Sequence, residues 1–169
     1  RFMLMLTLLT PFRAAVLVLL IATVTIVGAW IFQWAGYLPC DLCLKQRWAY
    51  YAGVPLAVVA VLLIRSPGNG LARLLLVMLA IIFAASAVFG AYHAGVEWGF
   101  WAGPAGCTGT VPQHAGSMAD FRQQLKTVQI VRCDVVALRI LGVSLAGWNF
   151  VISIALAAIA VKPVLSRDN

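Results

Sequence analysis

The chain has 169 residues, of which 63% are hydrophobic and only 10% charged, and its mean hydropathy is +0.99. Soluble domains carry about 25% charged residues, so this composition excludes an ordinary soluble fold and points to a polytopic membrane protein, a single integral membrane domain over residues 1–169. The net charge of +7 does not indicate a nucleic-acid binder, because the 12 Lys and Arg sit at the ends of apolar runs instead of forming one basic patch.

In chain order, Arg1 to Arg13 is a short basic lead-in with Pro11 before the first long apolar run. No charge occurs from Ala14 to Pro39, and about 20 apolar residues suffice to cross a bilayer, so a first span is predicted at about 14–36. The run is too long for the apolar core of a signal peptide, and no soluble domain follows it. Trp30, Trp34 and Tyr37 near its far end fit an interfacial aromatic belt.

A short connection leads to Cys40-Asp41-Leu42-Cys43-Leu44-Lys45-Gln46-Arg47 and a second apolar run, predicted as a helix over about 41–64 with Pro39 near its first turn. Arg65-Ser66-Pro67-Gly68-Asn69-Gly70 is a turn by its Pro and Gly content. A third span is predicted over 74–96 and a fourth over 140–161, both uncharged. Small residues in the outer spans, among them Gly28, Ala29, Ala155, Ala157 and Ala158, permit close helix contact, although ordinary membrane-helix composition accounts for them equally simply.

Between the third and fourth spans lies a loop over about 97–139, rich in Gly and Pro and carrying charges of both signs. Loops of this length are usually functional or disordered. Its second half reads as a short amphipathic helix: Ser117-Met118-Ala119-Asp120 has the form of a capping box, and Met118, Phe121, Leu125 and Val128 recur at helical spacing. Such a helix can lie on the lipid surface or pack on the ends of the bundle. The predicted fold class is therefore all-α, a membrane four-helix bundle with a long extracytoplasmic loop.

Four spans place both termini on one face and Cys40, Cys43, Cys107 and Cys133 on the other. Charge does not orient the bundle, since Arg1, Arg13, Arg65, Arg73, Lys162 and Arg167 on the terminal face balance Lys45, Arg47, Arg122, Lys126, Arg132 and Arg139 on the cysteine face. Redox logic does: disulfides persist on the oxidising side, so the cysteines are expected outside and both termini in the cytoplasm.

Thiol chemistry needs a thiolate, and a helix N-terminus supplies unpaired N–H groups that favour one. Cys40 and Cys43 at i and i+3 are near enough to cycle between dithiol and disulfide. Cys43 and Arg47 at i and i+4 share a helix face, so a guanidinium beside the Cys43 sulfur is expected; taken without Cys43, Arg47 would pass for an interfacial anchor. Two static structural disulfides are the competing explanation of an even cysteine count. Zinc is not expected, because a zinc signal in sequence has a second close pair, whereas Cys107 and Cys133 are 26 residues apart. Cys107, in the flexible context Ala105-Gly106-Cys107-Thr108-Gly109, is expected to be exposed to a protein partner, and the two can pair with each other or exchange with Cys40 and Cys43 as the loop moves.

Electrons reaching the Cys-x-x-Cys must leave, and the chain has no Gly-rich dinucleotide fingerprint, while neither His93 nor His114 stands in a c-type haem motif. A lipid-soluble quinone is an acceptor that needs no soluble cofactor domain. His93, near the outer end of the third span, is a candidate donor to a quinone carbonyl, although an ordinary interfacial histidine would look the same.

These residues resemble the disulfide bond formation protein B (DsbB) family, inner-membrane quinone reductases that reoxidise the periplasmic oxidant DsbA. The likeness rests on four spans, Cys40-x-x-Cys43 with Arg47, the loop pair Cys107 and Cys133, and Gly142-Val143-Ser144-Leu145-Ala146-Gly147-Trp148-Asn149 at the fourth span. The resemblance implies a protein-disulfide:quinone oxidoreductase in which Cys107 forms the mixed disulfide with a DsbA-like partner and Cys133 is its loop partner. Cys40 then exchanges with the loop pair, and Cys43, as thiolate beside Arg47, passes electrons to ubiquinone or menaquinone, with His93 a neighbour of the ring. A DsbA-like couple sits near about −120 mV, too oxidising for glutathione-like couples to regenerate. The vitamin K epoxide reductase type of thiol:quinone oxidoreductase is the nearest alternative, but its loop cysteines precede the Cys-x-x-Cys, whereas here they follow it. A non-catalytic membrane scaffold with structural disulfides is the alternative of another class.

Overall fold

The computed structural model describes residues 10–64, 70–104, 107, 117–118 and 131–166. The amphipathic segment expected after Ser117, from residue 119 onward, and His114 lie outside the described residues.

Four helices carry the fold: α1 (Pro11–Trp34), α2 (Asp41–Leu63), α3 (Gly70–Glu97) and α4 (Leu145–Leu165), each long and apolar enough to cross a membrane. The protein is an all-α four-helix membrane protein. Large apolar side chains such as Val24, Val88 and Ile81 point outward from the bundle, the arrangement expected when lipid replaces water around it.

Local chemistry sets the helix ends. Thr10 caps α1, its hydroxyl accepting the Arg13 N–H at 3.3 Å, and Pro11 follows where its missing N–H costs nothing. Both helices that finish at the cysteine end close in the same way. After α1, Tyr37 N–H bonds the Phe32 carbonyl and Gly36 N–H the Gln33 carbonyl; after α3, Phe100 N–H bonds Gly95 and Gly99 N–H bonds Val96. Gly36 and Gly99 have φ of 97° and 75°, the left-handed conformation this closure demands and glycine adopts without a Cβ clash.

The fourth helix starts later than its uncharged run suggests, at Leu145 instead of about 140. Residues 139–144 form a two-stranded hairpin, β1 (Arg139–Ile140) against β2 (Val143–Ser144), with Arg139 opposite Ser144. Leu141 and Gly142 at its tip both have positive φ, 53° and 82°, as a type I′ turn requires. Ser144 then caps α4 by accepting the Gly147 N–H at 3.1 Å, and Trp148 Nε1 donates to the Ile140 carbonyl at 2.9 Å. Apolar periodicity alone does not reveal a short turn inside an uncharged run.

The core is one apolar cluster along the bundle axis, including Val18, Leu76, Leu79, Phe83 and Leu156. The backbones of α3 and α4 approach closely at Gly90, where a Cβ would stand 3.0 Å from Phe150 N. Gly28, a candidate for close contact, has nothing among the described residues within 4 Å of its Cβ position. A polar ladder crosses the interior: Tyr50 Oη on α2 donates to Asn149 Oδ1 on α4 at 2.7 Å, and Ser153 Oγ on α4 donates to Ser86 Oγ on α3 at 3.0 Å. In an apolar surround such pairs fix helix register, because an unpaired group has no water to turn to.

Candidate redox site

Cys40 is the N-cap of α2, whose first residue is Asp41, so Pro39 lies before the helix and not in its first turn. Its sulfur accepts the Cys43 N–H at 3.3 Å, occupying one of the unpaired donors of the helix end. The Cys43 sulfur lies 3.0 Å away, and both residues are free thiols. The hydrogen bond from Cys43 holds the Cys40 thiol well below the usual thiol range; burial opposes this, while His93 and the Cys43 N–H reinforce it. One proton shared between two sulfurs leaves negative charge at the helix N-terminus, where the dipole favours it.

His93 comes to this pair from α3. It is 1% exposed, with Nε2 3.6 Å from Cys40 Sγ and Nδ1 2.9 Å from Gln46 Nε2 on α2. The imidazole is thus clamped between a sulfur and an amide of the same neighbouring helix. It stands at Cys40 and is not among the residues lining the cavity described below.

Cys107 and Cys133 are joined in a disulfide. The Cys107 N–H bonds the Pro104 carbonyl at 2.8 Å, and the Cys133 N–H bonds the Cys107 carbonyl at 3.2 Å. Cys107 is not exposed as its Gly-rich context suggests: the bridge is buried and packs in one cluster with Cys40, Leu42 and Val96, with Cys43, Phe89 and Val131 against it. All four cysteines therefore meet, two as thiols and two as a disulfide. Trp101 helps to lead the chain there, stacking on Tyr92 with ring centroids 6.0 Å apart and donating Nε1 to the Tyr92 carbonyl at 2.9 Å.

On the other side of Cys43 a cavity of about 360 Å³ opens between α1, α2 and the start of α4. Its walls are mainly apolar, with Ile26, Phe32, Leu145 and Trp148 among them, and its polar lining includes Cys43, Gln46, Arg47 and Asn149. Such a shape and lining are typical of a small-molecule site. Arg47 is half-buried and its guanidinium is held by α1, donating to Gln33 Oε1 at 2.6 Å and to the Ala29 carbonyl at 3.3 Å. Its hydrogen bonds thus run to α1, while it shares a cavity wall with the Cys43 it was expected to flank. Asn149 has its Oδ1 engaged by Tyr50, and its buried Nδ2 has no partner among the described residues.

The sequence profile of the disulfide bond formation protein DsbB family matches residues 12–162. The chain belongs to the DsbB family. An uncharacterized protein of Rickettsia prowazekii (strain Madrid E) is 29% identical over 149 residues, covering 85% of this chain and 84% of the relative. No solved structure matches significantly. As a DsbB-family member the chain is a multi-pass membrane oxidoreductase of disulfide bond formation, in a family known to involve quinone.

Three hydrogen-bond partners around the site escape a reading of the DsbB motif alone. Gln46 lies inside the Cys-x-x-Cys to Arg segment, but its contact with His93 spans 47 positions. Gln33, which bonds Arg47, sits in an apolar run and is marked there only by its polarity. Glu97 accepts a hydrogen bond from the Ser144 hydroxyl, tying the end of α3 to the cap of α4. A lone polar residue within an apolar span is the one signal that could have found Gln33.

Proposed function

We propose that this chain accepts electrons from a DsbA-like periplasmic dithiol at the Cys107–Cys133 disulfide and delivers them through Cys40 and Cys43 to a membrane quinone. The observation that carries the reading is the packing of the four cysteines into one cluster: an intact loop disulfide beside a reduced pair whose second cysteine borders an apolar cavity. It fits a bacterial inner membrane orientation with both termini cytoplasmic and the cysteines periplasmic, where disulfides persist.

The Cys107–Cys133 bridge, buried in this arrangement, has to become accessible before a partner thiolate attacks the Cys107 sulfur, breaking the Cys107–Cys133 bond and leaving Cys133 as thiolate. The partner's second thiol attacks the mixed disulfide and departs oxidised, so Cys107 is released. With Cys40 and Cys43 bonded in the resting cycle, a loop thiolate attacks the Cys40 sulfur and Cys43 leaves as thiolate. The second loop thiol then displaces Cys40, restoring Cys107–Cys133. The arrangement described above, reduced at Cys40 and Cys43 and oxidised in the loop, corresponds to this point of the cycle.

The cavity fits a quinone ring by volume and by its apolar walls, with Cys43, Arg47 and Asn149 as the polar groups that would hold it. When bound, quinone would supply an acceptor for two electrons and two protons. Cys43 presents its sulfur at the cavity wall, and Arg47, fixed by Gln33, keeps a positive charge there. His93 acts at Cys40, where Nε2 faces the sulfur and holds or passes its proton.

The test is quinone reduction by the purified full chain supplied with a reduced Cys-x-x-Cys partner protein. Turnover that is lost in Cys43→Ser and in Cys107→Ser is the expected result. No quinone reduction by the intact chain, or undiminished turnover in Cys43→Ser, would overturn the proposal.

A further inference from the structure

We infer that Cys40, Cys43 and His93 form a binding site for one zinc-class divalent cation when the Cys-x-x-Cys is reduced. The two sulfurs and the imidazole nitrogen all lie within 4.8 Å of one another. All three belong to one buried corner between the N-terminus of α2 and the outer end of α3, not to a surface cluster of acids.

The geometry can be compared with that of a tetrahedral zinc centre. Zn–S bonds of about 2.3 Å and a Zn–N bond of about 2.05 Å put a sulfur and a nitrogen ligand about 3.6 Å apart, and two sulfurs about 3.8 Å apart. Cys40 Sγ and His93 Nε2 are already 3.6 Å apart. The two sulfurs, at 3.0 Å, must separate by about 0.8 Å to reach the tetrahedral edge. Cys43 is on the first turn of α2 and half-buried, so a change in its χ1 accomplishes this without moving the helix.

The rest of the corner suits a metal-bound histidine. A ligating imidazole donates its other N–H to a fixed acceptor, which sets the tautomer. Gln46 already occupies that position at Nδ1, and turning its amide over presents Oε1 as the acceptor. Cys43 borders the cavity, so the fourth coordination position opens toward that space, as at a site with three protein ligands. Thiolate ligands and an imidazole favour zinc, cadmium or copper(I) over hard cations. Binding expels the proton that the two sulfurs share and leaves both as thiolates, with no change of oxidation state. Occupancy therefore excludes the Cys40–Cys43 disulfide, and the cation competes with oxidation.

Cadmium is the probe. The full chain, reduced in detergent without quinone or oxygen, is titrated with Cd2+ while the ultraviolet thiolate-to-cadmium charge-transfer band is followed. One equivalent is expected in the Cys107→Ser/Cys133→Ser background, and none after the Cys40–Cys43 pair is oxidised. His93→Ala is expected to weaken binding at least tenfold, and Gln46→Leu by about 10- to 100-fold, as for other partners of a ligating histidine. A cadmium-113 spectrum of the fully reduced intact chain keeps the test decisive if the double variant does not fold. A resonance in the range of two sulfurs with nitrogen and oxygen supports the site. A four-sulfur resonance, affinity unchanged in His93→Ala, or no stoichiometric binding overturns it. Metal binding with no quinone reduction would sink the proposed function and leave this site standing; the reverse outcome would do the opposite.

Discussion

His93 Nε2 faces the Cys40 sulfur at 3.6 Å while its Nδ1 meets Gln46 on the same helix as that cysteine. The imidazole therefore serves the sulfur at the α2 cap, and Arg47 and Asn149 supply the polar lining of the cavity beside it. Gln46 links the two, meeting His93 and lining the cavity.

The pH dependence of Cys40 is a direct readout of these contacts. Because its pKa is lowered, chiefly by the hydrogen bond from Cys43, Cys40 is thiolate at neutral pH and gains its proton only on acidification. A free thiol titrates near about 8.5. Thiolate absorbance of the reduced chain, with the loop cysteines replaced by Ser, should persist well below that pH. Cys43→Ala should move the midpoint up, because it removes the leading cause, and His93→Leu should move it up by less. A midpoint at the free-thiol value in the parent background would refute the assignment.

Arg47 is expected to act through its position. Gln33→Leu removes the 2.6 Å hydrogen bond that aims the guanidinium without touching the charge. Quinone KM should rise by about 3- to 10-fold in Gln33→Leu, the loss of about 1 kcal/mol, and further in Arg47→Met. Arg47→Lys should not restore the parent KM, since one ammonium does not reproduce the forked contacts to Gln33 and the Ala29 carbonyl. Steady-state quinone reduction at fixed partner concentration measures this.

Two glycines on different helices should behave oppositely. Gly90→Ala places a methyl 3.0 Å from the Phe150 backbone nitrogen and 3.1 Å from its Cα, where backbone must yield, at a cost of about 1–3 kcal/mol. Gly28→Ala meets nothing within 4 Å and should stay within about 0.5 kcal/mol of the parent. Thermal unfolding in detergent would separate them, and equal effects would contradict the close approach of α3 and α4 at Gly90.

The buried pair Tyr50 and Asn149 should be coupled. Tyr50→Phe strands the Asn149 side chain, whose Nδ2 already lacks a partner among the described residues. The single change is expected to cost about 1–3 kcal/mol, and adding Asn149→Leu should recover part of it. A double-mutant cycle on unfolding gives the coupling, expected at about 0.6–1.7 kcal/mol in a membrane interior. An additive result would mean that the hydrogen bond does not tie α2 to α4.

At the hairpin tip, Leu141 holds a positive φ of 53° and is 89% exposed, so its side chain gains little there. Leu141→Asn suits the first central position of a type I′ turn and should raise stability by about 1 kcal/mol. Reduced thermal stability in that variant would show that Leu141 serves another contact.

Much of the site's outline is legible in the sequence for simple reasons. Spans are long and uncharged because lipid tolerates little else, and Cys40 and Cys43 announce themselves by spacing. The start of α4 is less legible, because a turn at Leu141 and Gly142 carries no charge to interrupt the apolar run. The zinc-class site is invisible along the chain, since its third donor, His93, comes from 53 positions beyond Cys40. A sequence test for metal looks for a second close cysteine pair and finds none.

The sequence by itself determined the membrane character, the number of spans and the shared face of the four cysteines, because hydrophobicity and chain direction are local properties that add along the backbone. Only the tertiary structure decided which cysteines are bonded, that His93 serves Cys40, and that Gln33 holds Arg47. Those relations depend on how helices rotate and settle against each other, and side-chain packing across the bundle sets that rotation.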